Sequence, residues 1–132
     1  MSHLIELKNI TKKYIMGNTE VTAVNNVSLT IDAGEFVAIM GASGSGKSTL
    51  MNMLGFLDVP TSGSYSIMGR DVTGLDEDDL SILRNHIAGF IFQQFQLLPR
   101  LSATDNVLLP ALYAGKREME TTSCEKLQWV GL

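Results

Sequence analysis

The chain is 132 residues long, which fits one domain and leaves little room for a second. At 45% hydrophobic and 18% charged residues it is a globular composition rather than a disordered one, and its formal net charge of −4 argues weakly against nucleic acid as a partner. A single cysteine, Cys124, excludes an internal disulfide and a multi-cysteine metal site, and fits a buried or half-buried thiol in a reducing compartment.

The N-terminus, Met-Ser-His-Leu-Ile-Glu, lacks the basic and then apolar regions of a signal peptide. No run reaches the roughly 18 consecutive apolar residues of a spanning helix, so any work at a membrane is expected to be peripheral. Residues 4–10 read as a short strand. Gly17-Asn18 marks a turn, and Val27, Leu29 and Ile31 alternate with Ser28 and Thr30 as in a half-buried strand. After a turn at residues 32–35, Phe36-Val-Ala-Ile-Met40 is apolar throughout, the pattern of a strand covered on both faces.

A glycine-rich loop follows, and then a helix is expected over residues 48–57 with Leu50, Met51, Met53 and Leu54 on its apolar side. Pro60-Thr-Ser-Gly63 breaks it. Residues 64–68 suit a strand and 75–86 a helix, its first turn holding the acidic cluster Asp76-Glu-Asp-Asp79 where the helix dipole favours negative charge. Residues 87–92 read as a second buried strand, and 102–113 and 118–130 as helices. Ser102 and Asp105 have capping-box spacing, with Asp in place of Glu. The alternation after Phe36 indicates an α/β fold with a mainly parallel sheet, beside a small antiparallel β subdomain built from the first third.

Gly41-Ala42-Ser43-Gly44-Ser45-Gly46-Lys47-Ser48 matches the phosphate-loop pattern at every fixed position. Glycines let successive backbone N–H groups turn toward an anion. The helix that starts there points its positive end at the same phosphates. Lys47 would set its charge against the β- and γ-phosphates, Ser48 would ligate Mg2+, and Thr49 would add a hydroxyl near the α-phosphate. These residues predict binding of ATP with Mg2+. By contrast, His3 and His86 have no partners at metal-ligand spacing and read as surface residues. The acidic cluster reads as a solvated helix start, and Met51 and Met53 as core filler.

The stretch from Ala33 through the loop to Asn52, together with Gly89-Phe-Ile-Phe-Gln-Gln-Phe-Gln-Leu-Leu-Pro99, resembles the ATP-binding domain of ABC transporters over essentially the whole chain. Within that family the sequence is most similar to the macrolide-export and lipoprotein-releasing branch. Gly55-Phe-Leu-Asp58, Thr61-Ser-Gly-Ser-Tyr65, Leu75-Asp76 and Asn106-Val-Leu-Leu-Pro-Ala-Leu-Tyr-Ala-Gly115 carry that similarity. The resemblance implies a P-loop NTPase core, with Tyr14 stacking on adenine and Gln93 as the glutamine that reaches Mg2+ and the attacking water. Gln94 is the rival for that role. It further implies a membrane permease domain or subunit as partner, a second ATP-binding domain in a homodimer, and a cytoplasmic place at the inner face of the plasma membrane.

Three family elements are not in these residues: the apolar strand ending in Asp-Glu, the Leu-Ser-Gly-Gly-Gln-type signature and the switch histidine. In family order all three would follow Leu132. The expectation is therefore the N-terminal portion of an incomplete ABC ATPase fold, not competent in hydrolysis by itself. The alternative is a complete, non-catalytic nucleotide-binding module or regulator.

Overall fold

The computed structural model describes residues 3–116 and 119–132 and divides into two compact units, Met1–Ser81 and Ile82–Leu132. In the first unit, β1 (Ile5–Met16) and β2 (Thr19–Ile31) form an antiparallel hairpin from Ile5↔Ile31 to Met16↔Thr19. The turn falls at Gly17-Asn18, where Gly17 adopts a left-handed φ of 63°. A third strand, β3 (Ser62–Ile67), pairs antiparallel with the other side of β1, and the short β4 (Arg70–Asp71) pairs with β3. The sheet runs β2-β1-β3-β4.

Strict alternation along β1 would bury Leu7 and then Asn9. A bulge between Leu7 and Ile10 resets the phase instead, so that Leu7, Ile10 and Lys12 are the buried positions. Asn9 takes the bulge with φ 52°, a left-handed value that asparagine tolerates better than most residues.

Helix α1 (Lys47–Leu54) lies against β2 and contributes Leu50 and Met53 to the core. Beyond it Phe56 is buried and stacks on Tyr65 at 5.6 Å between ring centroids, with planes 5° apart. The Tyr65 hydroxyl donates to the Leu54 carbonyl at 3.0 Å, which satisfies one of the free acceptors at the helix end. Met51, expected inside, faces solvent, because the helix phase gives the buried face to Leu50 and Met53, three residues apart.

Helix α2 (Glu77–Ile87) crosses the division between the units. The acidic cluster opens a helix as expected, with Glu77, Asp78 and Asp79 in the first turn, and Asp76, just ahead of it, accepts from the Asp79 N–H through Oδ1 at 2.9 Å. In the second unit α3 (Ala103–Tyr113) and α4 (Glu120–Trp129) pack together. The capping box is formed: Ser102 Oγ accepts from the Asp105 N–H at 3.1 Å, and Asp105 Oδ2 from the Ser102 N–H at 3.3 Å. Glu118, where the last helix was expected to begin, lies outside the described residues. In α4 it is Ser123 that is buried, its hydroxyl donating to the Met119 carbonyl at 2.9 Å. Cys124, one position on, is exposed rather than half-buried.

The sheet of the described residues is wholly antiparallel, not mainly parallel. Residues 36–40 join no ladder, and Phe36 is 98% and Met40 88% exposed. Residues 88–92 likewise form no strand. Ile91 is fully exposed, and Phe90 stacks on Phe92 at 5.2 Å. An apolar segment becomes a central parallel strand only where neighbours supply hydrogen-bond partners on its edges. No described strand flanks either segment.

Candidate functional site

The glycine-rich loop sits where the irregular segment after Met40 meets α1. Gly44 and Gly46 take φ values of 78° and 89°, and Gly46 is the residue that precedes the helix. A Cβ on Gly46 would stand 2.2 Å from the Ala23 carbonyl oxygen of β2, so only glycine lets the loop close onto the sheet. The Ser45 N–H donates to the Ala42 carbonyl at 3.2 Å, and the first helical bond runs from the Leu50 N–H to the Gly46 carbonyl at 2.9 Å. No side chain caps the N-terminus of α1. The N–H groups of Lys47, Ser48 and Thr49 in its first turn are therefore free of helical acceptors and carry the positive end of the helix dipole.

Lys47 folds back over this loop. Its ammonium donates to the carbonyls of Gly41 at 3.0 Å and Ala42 at 2.6 Å, and to Ser45 Oγ at 3.4 Å. Ser43 and Ser48 are exposed beside it. A hollow of about 320 Å³ opens between β2, Ile39 and Met40, and the loop–helix junction at Gly46. The uncapped amides, the cation and the hydroxyl of Ser48 together fit a triphosphate with a hard cation. Backbone N–H groups and ammonium suit the anion, and the hydroxyl oxygen suits Mg2+.

Tyr14 stands near the end of β1, 36% exposed. Its hydroxyl donates to Asp58 Oδ2 at 2.6 Å. Asp58 is the hub: it accepts from Tyr14, from the Lys12 ammonium and, at 2.8 Å, from the Val59 N–H. Lys12 is almost fully buried, donates also to the Val59 carbonyl at 2.7 Å, and stands over the Tyr14 ring 5.0 Å from its centroid. The hydrogen bond to Asp58, followed by burial and the carboxylate charge, raises the Tyr14 pKa. At Asp58 burial acts upward, but the hydrogen bonds from Lys12 and Tyr14 outweigh it and the carboxyl pKa is lowered. Sequence reasoning had singled out Tyr14 and Thr49 but neither Lys12 nor Asp58. The signal was there in part: Lys12 and Tyr14 are alternate residues of one strand and so share a face.

Gln93 belongs to the second unit, exposed on an irregular segment, with Gln94 exposed beside it. The end of that segment is fastened by Asn106 of α3. Its Oδ1 accepts from the Leu98 N–H at 2.9 Å, and its Nδ2 donates to the Ser102 carbonyl at 2.9 Å and the Leu98 carbonyl at 3.2 Å. His3 pairs with Asp32 at 2.6 Å. Among the described residues no group of three or more His, Cys, Asp or Glu could hold a metal, and no helix is long and apolar enough to cross a membrane.

Residues 24–132 match the ABC transporter family. Among curated proteins, the macrolide export ATP-binding/permease protein MacB of Chlorobaculum tepidum is 54% identical over 130 residues, which is 98% of this chain and 20% of that protein. Its counterpart from Hyphomonas neptunium is 60% identical over 112 residues, 85% of this chain and 17% of that protein. The chain thus spans about one-fifth of the length of these relatives. Among solved structures, an ATP-binding cassette captured as a dimer after hydrolysis, bound to ADP and Pi, superposes with a TM-score of 0.84 at 44% identity. That match covers 94% of this chain and 56% of the other. A second dimeric structure, of a bacterial ABC transporter cassette, gives 0.78 at 50% identity over 83% of this chain and 47% of the other. The antiparallel sheet and the loop-plus-helix unit are therefore parts of an ATP-binding cassette, and the chain belongs to the ABC transporter family.

Proposed function

We propose that this chain is the nucleotide-binding portion of an ABC ATPase that powers export through a membrane permease. The observation that carries the reading is the Lys47 ammonium lying over its own loop at the uncapped start of α1. In the bound state Lys47 would leave the carbonyls of Gly41 and Ala42 for the β- and γ-phosphates, while the N–H groups of residues 44–49 surround the phosphate oxygens. Tyr14 would stack on adenine. Ser48 would hold Mg2+, which when bound supplies charge neutralisation to the phosphates. The parallel core sheet expected of a P-loop NTPase, with residues 36–40 as one of its strands, belongs to this same proposal.

The names of the relatives support macrolide-type export more directly than lipoprotein release. A permease on the same chain or on a partner, a second cassette in a homodimer, and a cytoplasmic position at the inner membrane face complete the proposal. Equilibrium titration of the chain with a fluorescent ATP analogue, with and without Mg2+, tests it. Saturable binding that strengthens with Mg2+ and is displaced by unlabelled ATP is expected. Absence of saturation at millimolar nucleotide would overturn the reading.

A further inference from the structure

Tyr14 is not a free ring on a strand end. Its phenolic oxygen is held at 2.6 Å by Asp58, which follows α1. The tether reaches further, since Asp58 is fixed by the nearly buried Lys12 ammonium and by the Val59 N–H. A half-exposed tyrosine with an untethered hydroxyl would rotate about χ1 and χ2, and a base stacking on it would have to bear the entropy of stopping that motion. Here the ring is stopped beforehand. Lys12 also stands over the ring, 5.0 Å from its centroid, which covers one face, and the side chain remains 36% exposed.

From this geometry we infer that Asp58, with Lys12, is a positioning residue for the base. It locks the Tyr14 ring to the phosphate-loop helix, so that ring and loop meet a nucleotide as one preorganised unit. The inference rests on the proposed stacking role of Tyr14. Asp58 touches no part of the nucleotide. It acts through the phenol, and its place just after α1 connects the base-binding ring to the phosphate-loop helix. The device predicts a distinct signature: loosening it weakens binding of a nucleotide with a base, but not of the phosphate chain alone.

The test measures affinity for ATP and for inorganic tripolyphosphate, both with Mg2+, on the 132-residue chain and its Asp58→Asn, Tyr14→Phe, Tyr14→Phe/Asp58→Asn and Tyr14→Ala variants. Asp58→Asn keeps the shape of the carboxylate, and Tyr14→Phe keeps the ring while removing the tether. Each is expected to lower the ratio of ATP to tripolyphosphate affinity by about threefold to tenfold, the range of a single lost hydrogen bond. The double variant should fall no further than either single one. If Tyr14→Ala lowers the ratio while Asp58→Asn and Tyr14→Phe do not, the positioning role is wrong and the stacking role stands. If Tyr14→Ala leaves the ratio unchanged, the stacking role fails and the inference falls with it. A Tyr14→Phe/Asp58→Asn loss equal to the sum of the single losses would also overturn the tether.

Discussion

The Lys47 ammonium and the Ala42 carbonyl are hydrogen-bonded at 2.6 Å, so the cation is held by its own loop. On the proposed reading, nucleotide binding exchanges these carbonyl acceptors of the ammonium for phosphate oxygens. The exchange favours phosphate because its oxygens are charged, and charge-assisted hydrogen bonds are about twice as strong as neutral ones.

Replacing Lys47 by Ala should therefore weaken ATP binding by about tenfold to a hundredfold, the equivalent of roughly 1.5–3 kcal/mol. Titration of both proteins with the same analogue measures it. Equal affinities would remove Lys47 from the site.

Gly46 and Gly44 separate steric closure from backbone strain. Both have left-handed φ, but a methyl group on Gly46 meets the Ala23 carbonyl at 2.2 Å while one on Gly44 meets nothing within 4 Å. Gly44→Ala should cost about 1–2 kcal/mol of folding stability, the left-handed penalty alone. Gly46→Ala should cost more, about 2–4 kcal/mol, and abolish nucleotide binding by pushing the loop off β2. Denaturant unfolding of the two variants ranks them, and the reverse order would contradict the packing of the loop on Ala23.

The phosphate loop could be read from sequence because its chemistry depends on fixed spacing along one stretch of chain. The Gly17 turn, the acidic start of α2 and the Ser102–Asp105 capping box were legible for the same reason, each depending on near neighbours in sequence. Lys12 and Asp58 were not. Their bond joins positions distant in sequence, and the β1 bulge that buries Lys12 breaks the alternation by which a buried position is recognised. Residues 36–40 fail in the opposite sense. Their pattern encodes a strand, but strand pairing depends on neighbours, and no described strand flanks them.

The pH profile of stability should show a plateau bounded on the acid side by Asp58 and on the alkaline side by Tyr14 and Tyr65. The Asp58 pKa is lowered in the folded chain, so its contribution is present above the ordinary carboxylate value near ~3.9 and is lost as pH falls through the folded value. The Tyr14 pKa is raised, chiefly by its bond to Asp58, and the Tyr65 pKa is raised by burial. Both contributions are complete below about pH 10 and disappear as pH climbs through the raised values. Denaturant midpoints from pH 3 to 11 should fall at both ends. Asp58→Asn should flatten the acid limb, and Tyr65→Phe the alkaline one. An unchanged alkaline limb in Tyr65→Phe would mean that burial of its hydroxyl does not govern it.

Purified alone, the 132-residue chain should bind ATP without turning it over. On the proposed reading these residues position the phosphates, whereas the strand ending in Asp-Glu and the signature that would face the γ-phosphate are not in this sequence. Steady phosphate release at a rate abolished by Lys47→Ala would show a catalytic group among these residues that the present reading lacks.

The final prediction concerns residues 36–40. Phe36 and Met40 are exposed at 98% and 88%, on a stretch apolar at every position and joined to no ladder. Exposing this much apolar surface at about 25 cal/mol per Å² is unfavourable, and the unpaired backbone beside it is a template for another strand. Either a second copy of the chain or an intramolecular rearrangement would relieve both costs. Light scattering should therefore find concentration-dependent association at neutral pH. Phe36→Lys should reduce it, because a charge desolvated in such a contact opposes pairing while costing little on a side chain that is already solvated. ATP with Mg2+ should raise the thermal midpoint only modestly, as mass action requires of a weakly binding site. A monodisperse monomer that melts cooperatively above roughly 60 °C, past most of the mesophilic range, would mean that these residues are covered in solution by the chain itself.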